Sequence, residues 1–279
     1  MNMNLIPLDS PYWETYTGAY GSVLPEIKIL MGEAPISPQS KLRRLDMEEK
    51  DDYRIAFDNL CEGLSHQMTC YDALFLALPY LVKLYQLRKA SFTWRVEILS
   101  QAGICLATDL PEVNGENPEP MPEEIMSGYN AAVLQLKDLA KEFILENLEQ
   151  IGLLEDSARN YLITGLIAIM GDRLLANVLT MSGWDEDECY LGCPDCDFCD
   201  EESSLTDRKI EGQLVPAHAK PWDGESFDDP LCWLTGILDR FDAEAEKDFI
   251  TCCYGAYTCP ECGKKAFMLD FAKCYLFGE

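Results

Sequence analysis

Two short cysteine pairs stand far apart in this chain, Cys193-Pro-Asp-Cys196 and Cys259-Pro-Glu-Cys262. Each reads C-P-x-C, and each follows a tyrosine-bearing, strand-like lead-in, 188–192 and 254–258. Two such knuckles facing each other present four thiolates in a tetrahedron, the donor set of a structural zinc site. The spacing predicts one structural Zn2+ on Cys193, Cys196, Cys259 and Cys262, each knuckle sitting at the turn of a short hairpin. Residues 263–269 read as the returning strand of the second hairpin. The 62 residues between Cys196 and Cys259 then form an insertion, with a loop over 200–230 and a helix over 231–247.

Other residues near the knuckles permit other chemistry. Cys189, Cys193, Cys196 and Cys199 contain the C-x3-C-x2-C spacing of radical SAM enzymes. Asp195 occupies the place where those enzymes usually carry an aromatic residue, and the helical sequence lacks their strand-rich barrel. An iron–sulfur cluster using Cys199 would leave the second knuckle without a role. Cys189, Cys199, Cys252 and Cys253 are therefore read as reduced cysteines beside the metal site. His218 is a candidate substitute ligand. His66, four residues before Cys70, is a candidate general base, but Cys70 opens an apolar helix in an acidic protein, which disfavours a thiolate. A loop-fixing hydrogen bond is the plainer use of His66. There is no G-x-x-x-x-G-K-[ST], G-x-G-x-x-G or G-x-S-x-G motif, so nucleotide binding and serine hydrolysis lack support.

The charge balance points to a partner class. Among 279 residues, 49 acidic and 22 basic ones give a formal charge of −27. Between Asp185 and Asp248, 20 acidic residues face 5 basic ones, so more than half of the excess lies there. Such a surface repels phosphate backbones and attracts a basic protein, which excludes direct nucleic-acid binding as the expected role. Asp185, Glu186, Asp187, Glu188, Asp228, Asp229 and Trp222 are the candidate partner-binding residues. Trp222 and Phe227, like Tyr12, Trp13, Tyr16 and Tyr20, are equally suited to packing a loop onto a helical core. No apolar run is long enough to span a bilayer. Thirteen cysteines, an odd number in a long chain without a secretory n-region and h-region, fit a reducing cytoplasm.

The elements that must position these groups are mainly helical. Apolar residues recur at helical spacing over 53–64, 72–87, 94–107, 122–148, 155–170 and 173–181. Pro79 is an expected kink or break, and the four prolines of 111–122 mark a loop. Short connections favour antiparallel neighbours, as in bundles or stacked pairs. A short helix within 21–31 would have Ser22 as its cap and Pro25 in its first turn.

Residues 17–26 (TGAYGSVLPE), 64–73 (LSHQMTCYDA) and 77–84 (ALPYLVKL) together resemble a family of bacterial proteins built from HEAT-like helical repeats. In that family a His-Gln-x-Thr-x-Tyr-x-Ala segment joins two helices, and His66, Gln67, Thr69, Tyr71 and Ala73 match it here. Met68 stands where a glycine is common. The resemblance implies an α-solenoid scaffold, and some related proteins are immunity partners of bacterial toxins. The expected architecture is mainly α: a HEAT-like array over 1–181, then a zinc-ribbon module over 182–279 with an acidic, partly helical insertion at 200–251. The expected function is a non-enzymatic scaffold masking a basic toxin domain. The alternatives are an enzyme with a metal- or cysteine-dependent site in the C-terminal cysteines, and a structural subunit of an assembly.

Overall fold

A computed structural model describes residues 3–38, 51–109, 121–182, 184, 190–200 and 204–278. Helix accounts for 61% of it, in twelve segments among the described residues, with only short strands. The mainly α class follows directly. Asp185, Glu186, Asp187, Glu188 and Cys189 lie outside the described residues, as does nearly all of the proline-rich stretch 111–122.

The chain divides into two units, Met1–Leu139 and Ala140–Glu279. The boundary expected at 181 falls inside the second unit.

In the first unit, α1 (Tyr12–Thr15) and α2 (Leu24–Leu30) precede α3 (Asp52–Leu64). A hairpin of β1 (Ser65–His66) and β2 (Thr69–Cys70) leads to α4 (Ala73–Leu87) and α5 (Phe92–Thr108). Side-chain caps start two of these helices. Asp51 accepts from the Arg54 amide at 2.8 Å, and Ser91 from the Trp94 amide at 3.4 Å. Consecutive helices pack in pairs, α2 on α3 and α4 on α5. α4 runs unbroken through Pro79, against expectation. A proline there costs about 3 kcal/mol. Leu74, Leu76, Leu78, Leu81, Val82 and Leu84 are buried around it, and each contributes about 1.5–3 kcal/mol.

Two of the stretches that carry the helical-repeat resemblance meet here. Ala73 donates its amide to the Thr17 carbonyl at 3.4 Å, and Ala19 donates to the Gly63 carbonyl at 2.9 Å. A Cβ at Gly18 would lie 2.3 Å from the Gly63 oxygen, so this approach requires glycine.

α6 (Glu123–Gly152) crosses the boundary between the units, and its helical geometry is interrupted at Asn147. The second unit continues with α7 (Asp156–Met170), closed by Gly171 at φ 118°, and α8 (Arg173–Ser182), which packs on α7. β3 (Leu191–Gly192) and β4 (Cys199–Asp200) form one antiparallel hairpin. α9 (Leu205–Ile210) leads to β5 (Leu214–Val215), and β5 joins β6 (Ala256–Thr258) and β7 (Lys265–Phe267) in a three-stranded antiparallel sheet. The insertion therefore supplies a strand to the sheet that carries the second knuckle. Where one helix was expected over 231–247, there are two: α10 (Pro230–Arg240) and α11 (Glu244–Cys253). Asp242, at φ 53°, turns the chain between them.

α12 (Met268–Phe277) covers the inner face of the sheet, with Phe271 edge-on to Tyr257 at 4.7 Å. It also packs on β3, where Gly192 lies so close that a Cβ would come 3.0 Å from the Tyr275 nitrogen.

Candidate metal centre

Each C-P-x-C pair forms the tip of a hairpin. β3 and β4 are in register with Leu191 opposite Asp200 and Gly192 opposite Cys199, which leaves Cys193 to Cys196 in the turn. Thr258 opposite Lys265 does the same for Cys259 to Cys262. The two turns repeat one hydrogen bond: Cys193 donates its amide to the Phe198 carbonyl, and Cys259 to the Lys264 carbonyl, both at 2.9 Å. Gly263, at φ 74°, supplies the left-handed residue that closes the second knuckle.

The four sulfurs converge. Cys193 and Cys262 are 3.6 Å apart, Cys196 and Cys259 are 3.7 Å apart, and all four lie within 4.8 Å of one another. A disulfide would need about 2.05 Å. A tetrahedral site with Zn–S of about 2.3 Å has S···S edges of about 3.8 Å. The donor set thus fits a tetrahedral ion that prefers thiolates. Cys193 and Cys259 are buried, Cys196 half-buried and Cys262 exposed, so the cluster sits at the edge of the core with one corner open to solvent.

The thiols of the cluster differ in how readily they ionise. Burial pushes the Cys259 thiol up, but the amides of Cys262 and Glu261 and the sulfurs of Cys193 and Cys262 outweigh it and hold the thiol below its ordinary value. At Cys196 the Phe198 amide favours the thiolate, yet desolvation and the three neighbouring sulfurs prevail, and its pKa is pushed up to about 12. Four bare thiolates would repel one another at this spacing, and a bound cation would offset that repulsion.

Two ion pairs support the hairpins, and neither was foreseen. Lys264 lies 2.9 Å from Asp195, linking the two knuckles across their exposed sides. Arg208, on α9, reaches Asp200 at the end of β4 with Nη2 at 3.0 Å and Nε at 3.2 Å, its side chain only 1% exposed. Arg208 follows Ser204, which caps α9 by accepting the Asp207 amide at 3.0 Å, and that cap was the available sequence signal.

The remaining candidates take other places. His66 meets the Tyr20 hydroxyl at 3.1 Å through Nδ1, whereas Cys70 is buried, its thiol directed to the Tyr71 carbonyl at 3.9 Å. Burial raises the Cys70 pKa far above that of an ordinary thiol, which disfavours its thiolate. His218 lies outside the four-sulfur cluster and lines a separate pocket of about 340 Å³ with Lys220 and Lys247. Cys252 and Cys253 are fully buried, and Cys199 is exposed on β4. Asp228 and Asp229 are exposed, and Asp229 also caps α10 through the Cys232 amide at 3.2 Å. Trp222 packs against Phe227 and donates Nε1–H to the Ser226 carbonyl at 2.6 Å. Among the described residues no helix is long and apolar enough to cross a membrane.

Comparison of the chain with known protein families, curated proteins and solved structures gives no match. The helical-repeat resemblance read in the sequence gains no support from these comparisons.

Proposed function

We propose that the protein is a non-enzymatic helical scaffold, stapled by a zinc ribbon, that binds a basic protein partner. The observation that carries this reading is the charge of −27. Its exposed acids include Asp223, Glu225, Asp228 and Asp229 on one loop of the second unit. Such a field raises the association rate of a cationic partner and disfavours nucleic acid. Masking a basic toxin domain, as an immunity protein does, would use this surface in a reducing cytoplasm.

Zinc is the ion we assign to Cys193, Cys196, Cys259 and Cys262, because four thiolates at these separations make a closed tetrahedral shell. A closed shell leaves no position for substrate. The ion would hold the two hairpins together and leave recognition to the protein surface. The paired helices α2–α3, α4–α5 and α7–α8 suit a stacked, HEAT-like array.

The test is isolation of the tagged chain from its native host at about 0.15 M salt, where the Debye length is about 8 Å, followed by mass spectrometry. One stoichiometric basic partner, released at about 1 M salt, supports the reading. A partner that resists high salt, or no basic partner, overturns it.

A further inference from the structure

A pocket of about 680 Å³ opens in the second unit, away from the four sulfurs, and Trp222 and Gly224 of the acidic loop form part of its lining. Its volume is within the roughly 300–1,000 Å³ of ordinary ligand sites. One wall is the end of α6 and the residue after it, with Leu145 and Leu153 exposed by 50% and 86%. The facing wall carries Trp222, Arg240 and Asp242.

That facing wall is preformed. The Trp222 indole N–H is bonded to the Ser226 carbonyl, and its Cβ lies where a side chain at Gly236 would begin, 2.3 Å from the position of such a Cβ. The Arg240 guanidinium carbon stands 5.6 Å from the centre of the same ring. Both backbone irregularities of this region line the pocket: the interruption of α6 at Asn147 (φ −129°, ψ 18°) and Asp242 at φ 53°. Arg240 is outnumbered by Glu146, Glu149 and Asp242, and the carbonyl end of α6 adds partial negative charge.

We infer that this pocket receives a basic peptide segment of two or three residues. A lysine or arginine would lay its aliphatic stem on Trp222 and Leu153 and direct its cation to Glu149 and Asp242, while an apolar neighbour covers Leu145. The inference rests on the proposed basic partner and locates its anchor. Charge complementarity selects the occupant, and the exposed leucines favour a peptide over a bare metal ion or a small polyamine.

The experiment is fluorescence anisotropy with the full chain and a fluorescein-labelled hexapeptide of alternating lysine and leucine, at about 0.15 M salt. Saturable binding is expected, weakened at least tenfold in Glu149→Gln/Asp242→Asn. Asparagine tolerates φ > 0, so this variant keeps the turn at 242. Leu153→Ser, at an exposed position, should weaken binding several-fold and serves if the double variant does not fold. Glu14→Gln/Asp138→Asn removes two exposed acids of the first unit and should change nothing. Absence of saturable binding, or equal losses in the pocket and control pairs, overturns the pocket. If the pocket variants bind the peptide normally while a basic partner still co-purifies, the pocket fails and the scaffold reading stands. If the peptide binds as expected and no basic partner is found, the pocket stands and the scaffold reading fails.

Discussion

Cys193 Sγ lies 3.6 Å from Cys262 Sγ, so a close sulfur contact runs from one knuckle to the other. Cys196 and Cys259 repeat the arrangement at 3.7 Å. Loss of any one thiolate should therefore weaken the link between two hairpins whose separate ladders are only two and three residue pairs long, leaving the Lys264–Asp195 pair and α12 to hold them. Structural zinc binding is worth about 10–16 kcal/mol in small modules, and whole domains are stable by only about 5–15 kcal/mol. Cys259→Ser should thus release the metal and collapse the near-UV circular dichroism of the second unit. Metal analysis should find one colourless zinc per wild-type chain and well under one in the variant. Full occupancy in the variant would sink the four-thiolate assignment, and visible absorbance from iron would change the ion.

Arg208 and Asp200 form the other bond on which the first hairpin depends. Both are largely buried, with side chains 1% and 11% exposed. Removing one member of such a pair leaves an uncompensated buried charge, at about 3–5 kcal/mol. Arg208→Met should lower the urea midpoint by a corresponding amount, and Asp200→Leu likewise. The double variant should be more stable than either single one, because no buried charge remains. A purely additive double variant, measured by chemical denaturation of the metal-loaded protein, would show that the ion pair is not what holds α9 to β4.

How far the sequence disclosed this fold depends on how local each signal is. The knuckles were legible because C-P-x-C sets its own turn, and the four ligands meet through nothing more distant than two hairpins. The long helices were legible from apolar spacing. The break between α10 and α11 was not. No glycine or proline marks it, and Phe241, Asp242 and Ala243 continue an acceptable helical pattern. The chain turns there as Phe241 packs on Gly152, where even a Cβ would come within 2.9 Å of the ring, a contact set by residues 89 positions apart. β5 was invisible for the same reason: Leu214 and Val215 become a strand only because β6 offers an edge. Pro79 misled in the opposite direction, since burial around α4 overrode a local rule.

The hairpin between α3 and α4 carries strain that a substitution can relieve. Gln67 and Met68, its two turn residues, have φ of 49° and 62°. Positive φ at both positions is the type I′ geometry that favours Asn-Gly. Relief of about 1–2 kcal/mol at Met68 exceeds the roughly 0.5–1 kcal/mol by which glycine frees the unfolded chain. Met68→Gly should therefore stabilise the protein by about 0.5–1 kcal/mol, read as a higher urea midpoint with unchanged slope. Destabilisation would mean that the half-buried Met68 side chain contributes packing that outweighs the turn.

Tyr254 donates its hydroxyl to the Asp172 carboxylate in a short hydrogen bond within the second unit. Burial, then the Asp172 charge and the bond itself, raises its pKa well above the ordinary 10.0. A raised folded pKa means the contribution is fully present below the unfolded value and is lost as pH rises beyond it. The Tyr254 contribution should therefore persist to about pH 10 and fade progressively above, as the unfolded tyrosinate becomes accessible. A hydrogen bond to a charged group is worth about 1.5–3 kcal/mol. Tyr254→Phe should cost stability of that order at pH 7, and the penalty should shrink above pH 10, where the wild type loses its advantage. Denaturation midpoints of both proteins across pH 7–11 test this. A penalty that stayed constant through that range would show that the tyrosine hydroxyl is not coupled to folding.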